Sequence, residues 1–133
     1  MNGKKLLIID DDHDLVLGLT PRLKANGYSV ISAADGTSAI GVARKEAPDL
    51  IILDLGLPGG DGFVVLERLK GLADTGAIPV IVLSARNPAE NEKRVLDAGA
   101  VAFFQKPPDN HEFMGAIRHA LGETIALSTF LKT

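Results

Sequence analysis

A chain of 133 residues in which 46% of the side chains are hydrophobic fits one domain with a substantial core, and no second domain is visible. Its 14 basic and 17 acidic residues are dispersed and sum to a net charge of -3, which excludes a basic stripe for direct nucleic-acid binding and a polybasic membrane anchor. The absence of cysteine excludes disulfides, thiolate catalysis and Cys-ligated zinc. It suits a reducing compartment, and with only Leu6 to Ile9 apolar before the first acids, a cytoplasmic location without a membrane segment is expected.

The first element is the run LLII at 6–9, which leads straight into Asp10, Asp11 and Asp12. Leu15, Leu19 and Leu23, spaced by four, predict a helix, with Pro21 inside it expected to kink or locally break it. YSVISA at 28–33 reads as a weaker strand. Ala39, Ala43 and Ala47 mark a second helix that Pro48 ends before the run LIIL at 50–53. Phe63, Leu66 and Leu69 mark a third helix, and Pro79 opens the strand VIVL at 80–83. Pro88 to Ala98 is the least apolar helical segment and should be the most exposed, with Gly99 at its left-handed end. VAFFQ at 101–105 and a helix carrying Phe113 and Ile117 complete the set. The domain is expected to span 1–121, with 122–133 either prolonging the last helix or starting a linker.

The three strongest runs are continuously apolar rather than alternating, as strands are when helices cover both faces of a parallel sheet. Five such β-α units with right-handed crossovers predict a doubly wound α/β fold, a five-stranded parallel sheet with helices on both faces. Sites in such sheets lie beyond the carboxyl ends of the strands. Strand one delivers Asp10, Asp11 and Asp12 there, strand three Asp54, strand four Ser84 and strand five Lys106. Carboxylates gathered at one rim repel unless a hard cation joins them, and an all-oxygen, partly hydrated set suits Mg²⁺. A carboxylate beside Mg²⁺, an ammonium and a hydroxyl has what phosphoryl transfer requires, with an aspartyl phosphate as product.

At these residues the chain resembles the receiver domain of two-component response regulators, from about Lys4 to Leu121, which implies a flavodoxin-like sheet of strand order 2-1-3-4-5. The resemblance is carried by LLIIDDD, PDLIILDLGLPGGDG, IPVIVLSA and DAGAVAFFQKP, in that order. It implies that Asp54 accepts the phosphoryl group and binds Mg²⁺ with Asp11 and the backbone carbonyl of Gly56, while Asp10 acts through water. It implies that Ser84 is the switch hydroxyl, Lys106 the pairing lysine and Phe103 the switch aromatic. The Lys106–Pro107 bond is similar to one that is cis in the family, an isomer open to proline. The implied donor is a histidine kinase or phosphotransfer protein. The implied output is a face of the fourth helix, fifth strand and fifth helix, whose populations shift on phosphorylation and which meets a partner or a second copy of the chain.

Simpler readings compete at single positions. Asp12 suits a helix N-terminus and Asp61 a turn. Ser84 and Lys106 taken singly could be a strand end and a surface lysine, Phe103 and Phe104 are core by default, and His13, His111 and His119 share no spacing that makes a site. A phosphatase of the haloacid dehalogenase type wants an acid two residues after its nucleophile, where Gly56 stands. A flavin module wants amide donors where this chain has acids. A phosphorylation-independent interaction module would be expected to lose the acids or the lysine, and both are present. Pro108 departs from the aromatic frequent in the family after the Lys-Pro pair. Gly56 and Arg86, each two residues past a reacting group, flank the path of a hydrolytic water; Arg86 is therefore expected to set the lifetime of the phosphoryl group, and Arg86→Ala should change the autodephosphorylation rate.

Overall fold

The computed structural model describes residues 3–58 and 61–123, so the stretch after Glu123 lies outside the described residues. Ten elements alternate along the chain: β1 (Lys5–Ile9), α1 (His13–Ala25), β2 (Ser29–Ala33), α2 (Gly36–Glu46), β3 (Leu50–Leu53), α3 (Gly62–Gly71), β4 (Val80–Ser84), α4 (Pro88–Asp97), β5 (Ala102–Gln105) and α5 (Asn110–Ala120). The strands form one parallel sheet in the order β2-β1-β3-β4-β5, the order that the resemblance implies.

The continuous apolar runs are explained by where successive side chains go. Leu7, Ile9, Ile51, Leu53, Val80, Val82 and Phe103 join α2, α3 and Val95 of α4 in one core. Their neighbours Leu6, Ile8, Leu50, Ile52, Ile81 and Leu83 join α1 and α5 in the other. Neither face of a central strand meets water, so neither can carry polar side chains. Leu19 and Leu23 of α1, Leu66 and Leu69 of α3, and Phe113 and Ile117 of α5 are buried as their spacing requires. In α4 only Val95 is buried.

Each helix start has a side-chain cap, from Asp12, Asp35, Asp61, Asn87 and Asp109, accepting from the backbone N–H groups of Leu15, Ser38, Phe63, Ala89 and Glu112. Gly99 takes φ +109 directly after α4. Two expectations need correction. The local break allowed for at Pro21 does not occur: α1 runs as one helix from His13 to Ala25, because Pro21 and the neighbouring Leu17 lie on the exposed side, where water can satisfy the Leu17 carbonyl that proline leaves without a donor. Ala47 does not continue the buried stripe of α2; it is an exposed C-cap in the left-handed region, at φ 47.

Register places the site. Ile9 pairs with Ala33 and Leu53, and Ser84 pairs with Gln105. The next backbone bonds, Asp10 N–H to Ala33 O at 3.0 Å, Asp54 N–H to Ile9 O at 2.9 Å and Lys106 N–H to Ser84 O at 2.8 Å, extend the ladders one step beyond the strands. Gly62, at the start of α3, packs against that step: a Cβ there would collide with the Asp54 carbonyl oxygen and the Leu55 Cα. Gly62→Ala is expected to push α3 off the end of β3 and cost about 1–3 kcal/mol in urea unfolding, whereas Gly115→Ala, where a Cβ meets nothing within 4 Å, should not destabilise.

Candidate functional site

Three carboxylates converge at the rim. Oxygens of Asp10, Asp11 and Asp54 lie within 4.8 Å of one another, with Asp10 and Asp54 buried and Asp11 exposed. Asp10 is the most constrained of them. Its Oδ1 accepts from the Asp12 N–H at 2.9 Å and its Oδ2 lies 2.9 Å from Lys106 Nζ. The same ammonium is 3.7 Å from Asp54 Oδ2. The Lys106–Pro107 peptide that follows is cis.

Charge and dehydration act against each other here. Burial raises the Asp10 carboxyl above its ordinary pKa, outweighing the bonds from Lys106 and the Asp12 N–H, and the neighbouring Asp54 adds to the rise. Burial by itself would lower the Lys106 ammonium, but the bond to Asp10 and the charges of Asp54, Asp10 and Asp12 prevail and raise it. The ion pair thus pulls its lysine up without bringing its acid down, because loss of water dominates at the less exposed partner.

The remaining residues singled out in the sequence fall around this centre. Ser84 is buried at the end of β4, and its Oγ accepts from the Arg86 N–H at 3.2 Å. Gly56 stands just past the end of β3, where a Cβ would lie 3.8 Å from Asp54 Oδ2. Phe103 is buried in the core between the sheet and α3 and α4. Asp12 and Asp61 are helix caps, of α1 and α3, and stand outside the trio. Arg86 leans toward Asp61, with 3.9 Å between Nη1 and Oδ1, and its guanidinium is 5.8 Å from the Phe63 ring centroid.

Two features escaped the sequence. An open cleft of about 650 Å³ beside Asp11 is lined by Ala34, Asp35, Thr37, Ser38 and Pro58, brought there by loops distant in the chain. The Arg94 guanidinium stacks 3.5 Å from the Phe63 centroid, a contact between two helices that no spacing within either could reveal.

The donor set fits a small divalent cation: oxygens only, from two buried carboxylates and one exposed one, with both Asp10 oxygens already engaged and so better placed to act through water. A doubly wound sheet with an acid trio, a lysine and a buried hydroxyl at its carboxyl rim has its polar groups where such sheets place their ligand sites. The model of the response regulator receiver domain matches residues 6–118, and the chain belongs to that family. It is 40% identical over 121 residues to the transcriptional regulatory protein KdpE of Mycobacterium tuberculosis, covering 91% of this chain and 52% of that one. It is 33% identical to sporulation initiation phosphotransferase F of Bacillus subtilis, covering 91% and 96%. The receiver domain of a sensor histidine kinase from Pseudomonas aeruginosa PAO1, solved with a magnesium ion coordinated in its active-site cleft, superposes with a TM-score of 0.82 at 25% identity, covering 91% and 99%. The chain spans about half the length of the first of these relatives. Among the described residues no helix is long and apolar enough to cross a membrane.

Removing the lysine should expose the cost of the acids. Lys106→Met is expected to destabilise the metal-free protein at neutral pH by about 3 kcal/mol or more, and Asp10→Asn in the same chain should recover most of that. Because the folded-state pKa of Asp10 is raised, its ionisation weighs on the folded state above that pKa and ceases to do so below the ordinary value of 3.8. The penalty of Lys106→Met should therefore shrink as pH falls, which urea titrations at neutral and acid pH would check.

Proposed function

We propose that this chain takes a phosphoryl group onto Asp54 from the phosphohistidine of a histidine kinase or phosphotransfer protein and converts it into a change at the face of α4, β5 and α5. The observation that carries this reading is the convergence of Asp10, Asp11 and Asp54 within 4.8 Å, with Lys106 Nζ reaching both buried acids. Asp11, Asp54 and the Gly56 carbonyl would hold Mg²⁺ directly and Asp10 through water, a reading supported by the magnesium in the cleft of the Pseudomonas receiver domain. When bound, the ion offsets charge on the phosphoryl oxygens.

The chain's own groups supply the rest. An Asp54 carboxylate oxygen attacks phosphorus as the bond to the donor imidazole breaks; the electron pair of that bond stays on the imidazole nitrogen, and with a proton already on the other ring nitrogen of the donor the ring leaves as neutral imidazole. Lys106, already beside Asp54, offsets the charge that accumulates on the transferred group. Ser84 accepts from the Arg86 N–H and keeps its own hydroxyl proton to donate to a phosphoryl oxygen. The product stays on the protein, so the chain acts as a switch rather than as a turnover enzyme. Phosphorylation adds about -1.5 to -2 charges, and Ser84 and buried Phe103 are the residues through which that change would pass. The output face offers Leu96 and Val101, 41% and 52% exposed, to a partner or to a second copy of the chain.

Incubation with acetyl phosphate and Mg²⁺ is expected to add one phosphoryl group by intact mass, and omission of the metal should abolish the gain. Asp54→Asn should show no gain. A phosphoryl group that still appears on Asp54→Asn, or steady turnover of a small phosphate ester, would overturn the assignment.

A further inference from the structure

The positive groups of the rim stand on one side of the acid trio. Lys106 follows β5 and Arg86 follows β4, whereas the loops after β1 and β2, on the far side of β3, carry Asp10, Asp11, Asp12 and Asp35 and no lysine or arginine. On that acidic side opens the cleft of about 650 Å³, which has Asp11 and Asp35 and the apolar groups of Ala34 and Pro58 in its lining, and no cation. Its walls are tied to each other: the Gly36 N–H, at the start of α2, donates to the Pro58 carbonyl at 3.3 Å. Asp35 Oδ1 accepts from the Ser38 N–H at 2.7 Å and from the Ser38 hydroxyl at 3.0 Å. Those two bonds hold the Asp35 carboxyl below the ordinary carboxylate range, so its charge is present at neutral pH. Asp11 belongs to the trio that fits a divalent cation; Asp35 stands outside that set.

We propose that this cleft receives a basic side chain, arginine or lysine, that the phosphohistidine protein carries beside its histidine, with the aliphatic stem against Ala34 and Pro58 and the charged head at Asp35. The proposal rests on the phosphoacceptor reading of Asp54 and adds what the donor must present. A donor that brings its histidine to Asp54 covers the rim on which the cleft opens, because Asp11 belongs to both. Its phosphoryl group carries negative charge into a pocket of acids. Lys106 offsets that charge from the β5 side, and over β1 and β2 the chain offers only further carboxylates, so compensation there comes from the partner. A long side chain with an apolar stem and a cationic end matches an open cleft that combines small apolar groups with a carboxylate. Charge pairs at such a rim act mainly on the rate of association and weaken with salt.

Two synthetic peptides that each carry one phosphohistidine and differ only in an arginine or a glutamate beside it test this with the whole chain and Mg²⁺, transfer being followed by intact mass. The wild type should take the phosphoryl group from the arginine peptide about five-fold faster than from the glutamate peptide at low salt, and the preference should fade at high salt. Asp35→Asn keeps the cap of α2 and removes its charge; it should lose most of the preference and keep the wild-type rate with acetyl phosphate. Asp109→Asn, which removes the cap charge of α5 outside the cleft, should keep the preference. No preference in the wild type, an undiminished one in Asp35→Asn, or an equal loss in Asp109→Asn would overturn the proposal. Titration of the unphosphorylated arginine peptide into ¹⁵N-labelled protein decides the cleft independently of transfer: it should shift the amide signals of Ala34, Asp35 and Ser38 in the wild type and not in Asp35→Asn, and unmoved signals in the wild type would overturn it. A wild type that gains no mass from acetyl phosphate would instead refute the Asp54 reading, with the cleft still decided by the titration.

Discussion

The Lys106 ammonium, 2.9 Å from one buried carboxylate and 3.7 Å from a second, is the constraint on which the rim depends. Two acids that have lost most of their water repel each other and are poorly solvated, and neither effect is relieved by the central strands beneath them, which are apolar over Leu6–Ile9, Leu50–Leu53 and Val80–Leu83. One cation offsets part of that cost. The Asp12 N–H offsets a little more at Asp10, while Asp11 remains in contact with solvent. The metal-free pocket is therefore short of positive charge, a condition that favours the binding of cations.

Much of this was legible in the residues because the fold is built from local rules that agree. LLII, LIIL and VIVL could only be two-sided strands, and once they are parallel the residues that follow them must share an edge. Tyr28 and Val101 were read into strands that begin one residue later, at Ser29 and Ala102, a boundary that hydrophobicity does not resolve. A break at Pro21 and a buried place for Ala47 were misjudged for opposite reasons. The proline sits where solvent makes its missing donor harmless, and the alanine takes a backbone conformation that its side chain does not announce. The stacking of Arg94 on Phe63 was beyond reach, since it joins residues whose spacing carries no period and depends on how two helices lie across a strand.

The two cores divide the helices into unequal partners. Helices α1 and α5 share one face, with Leu19, Leu23, Phe113 and Ile117 buried between them and the sheet. On the other face α2 and α3 contribute most of the burial and α4 a single residue. An element with few apolar contacts opens or shifts at low free energy, so the uneven distribution makes α4 the part of the molecule most easily moved by a change at β4 or β5. The caps counter this only at helix starts, and Asn87 caps the start of α4 next to Arg86, whose N–H bonds Ser84 at the end of β4.

The sealing of the central strands on both faces has a consequence for how such a chain can diversify. Strand interiors tolerate little beyond Leu, Ile and Val, because every position there fills one of two cores. The rim residues and outward helix surfaces share almost none of those packing restraints. Folding and recognition are thereby assigned to separate sets of positions, and new partners can be acquired by surface substitution while the apolar scaffold and its charged edge stay as they are.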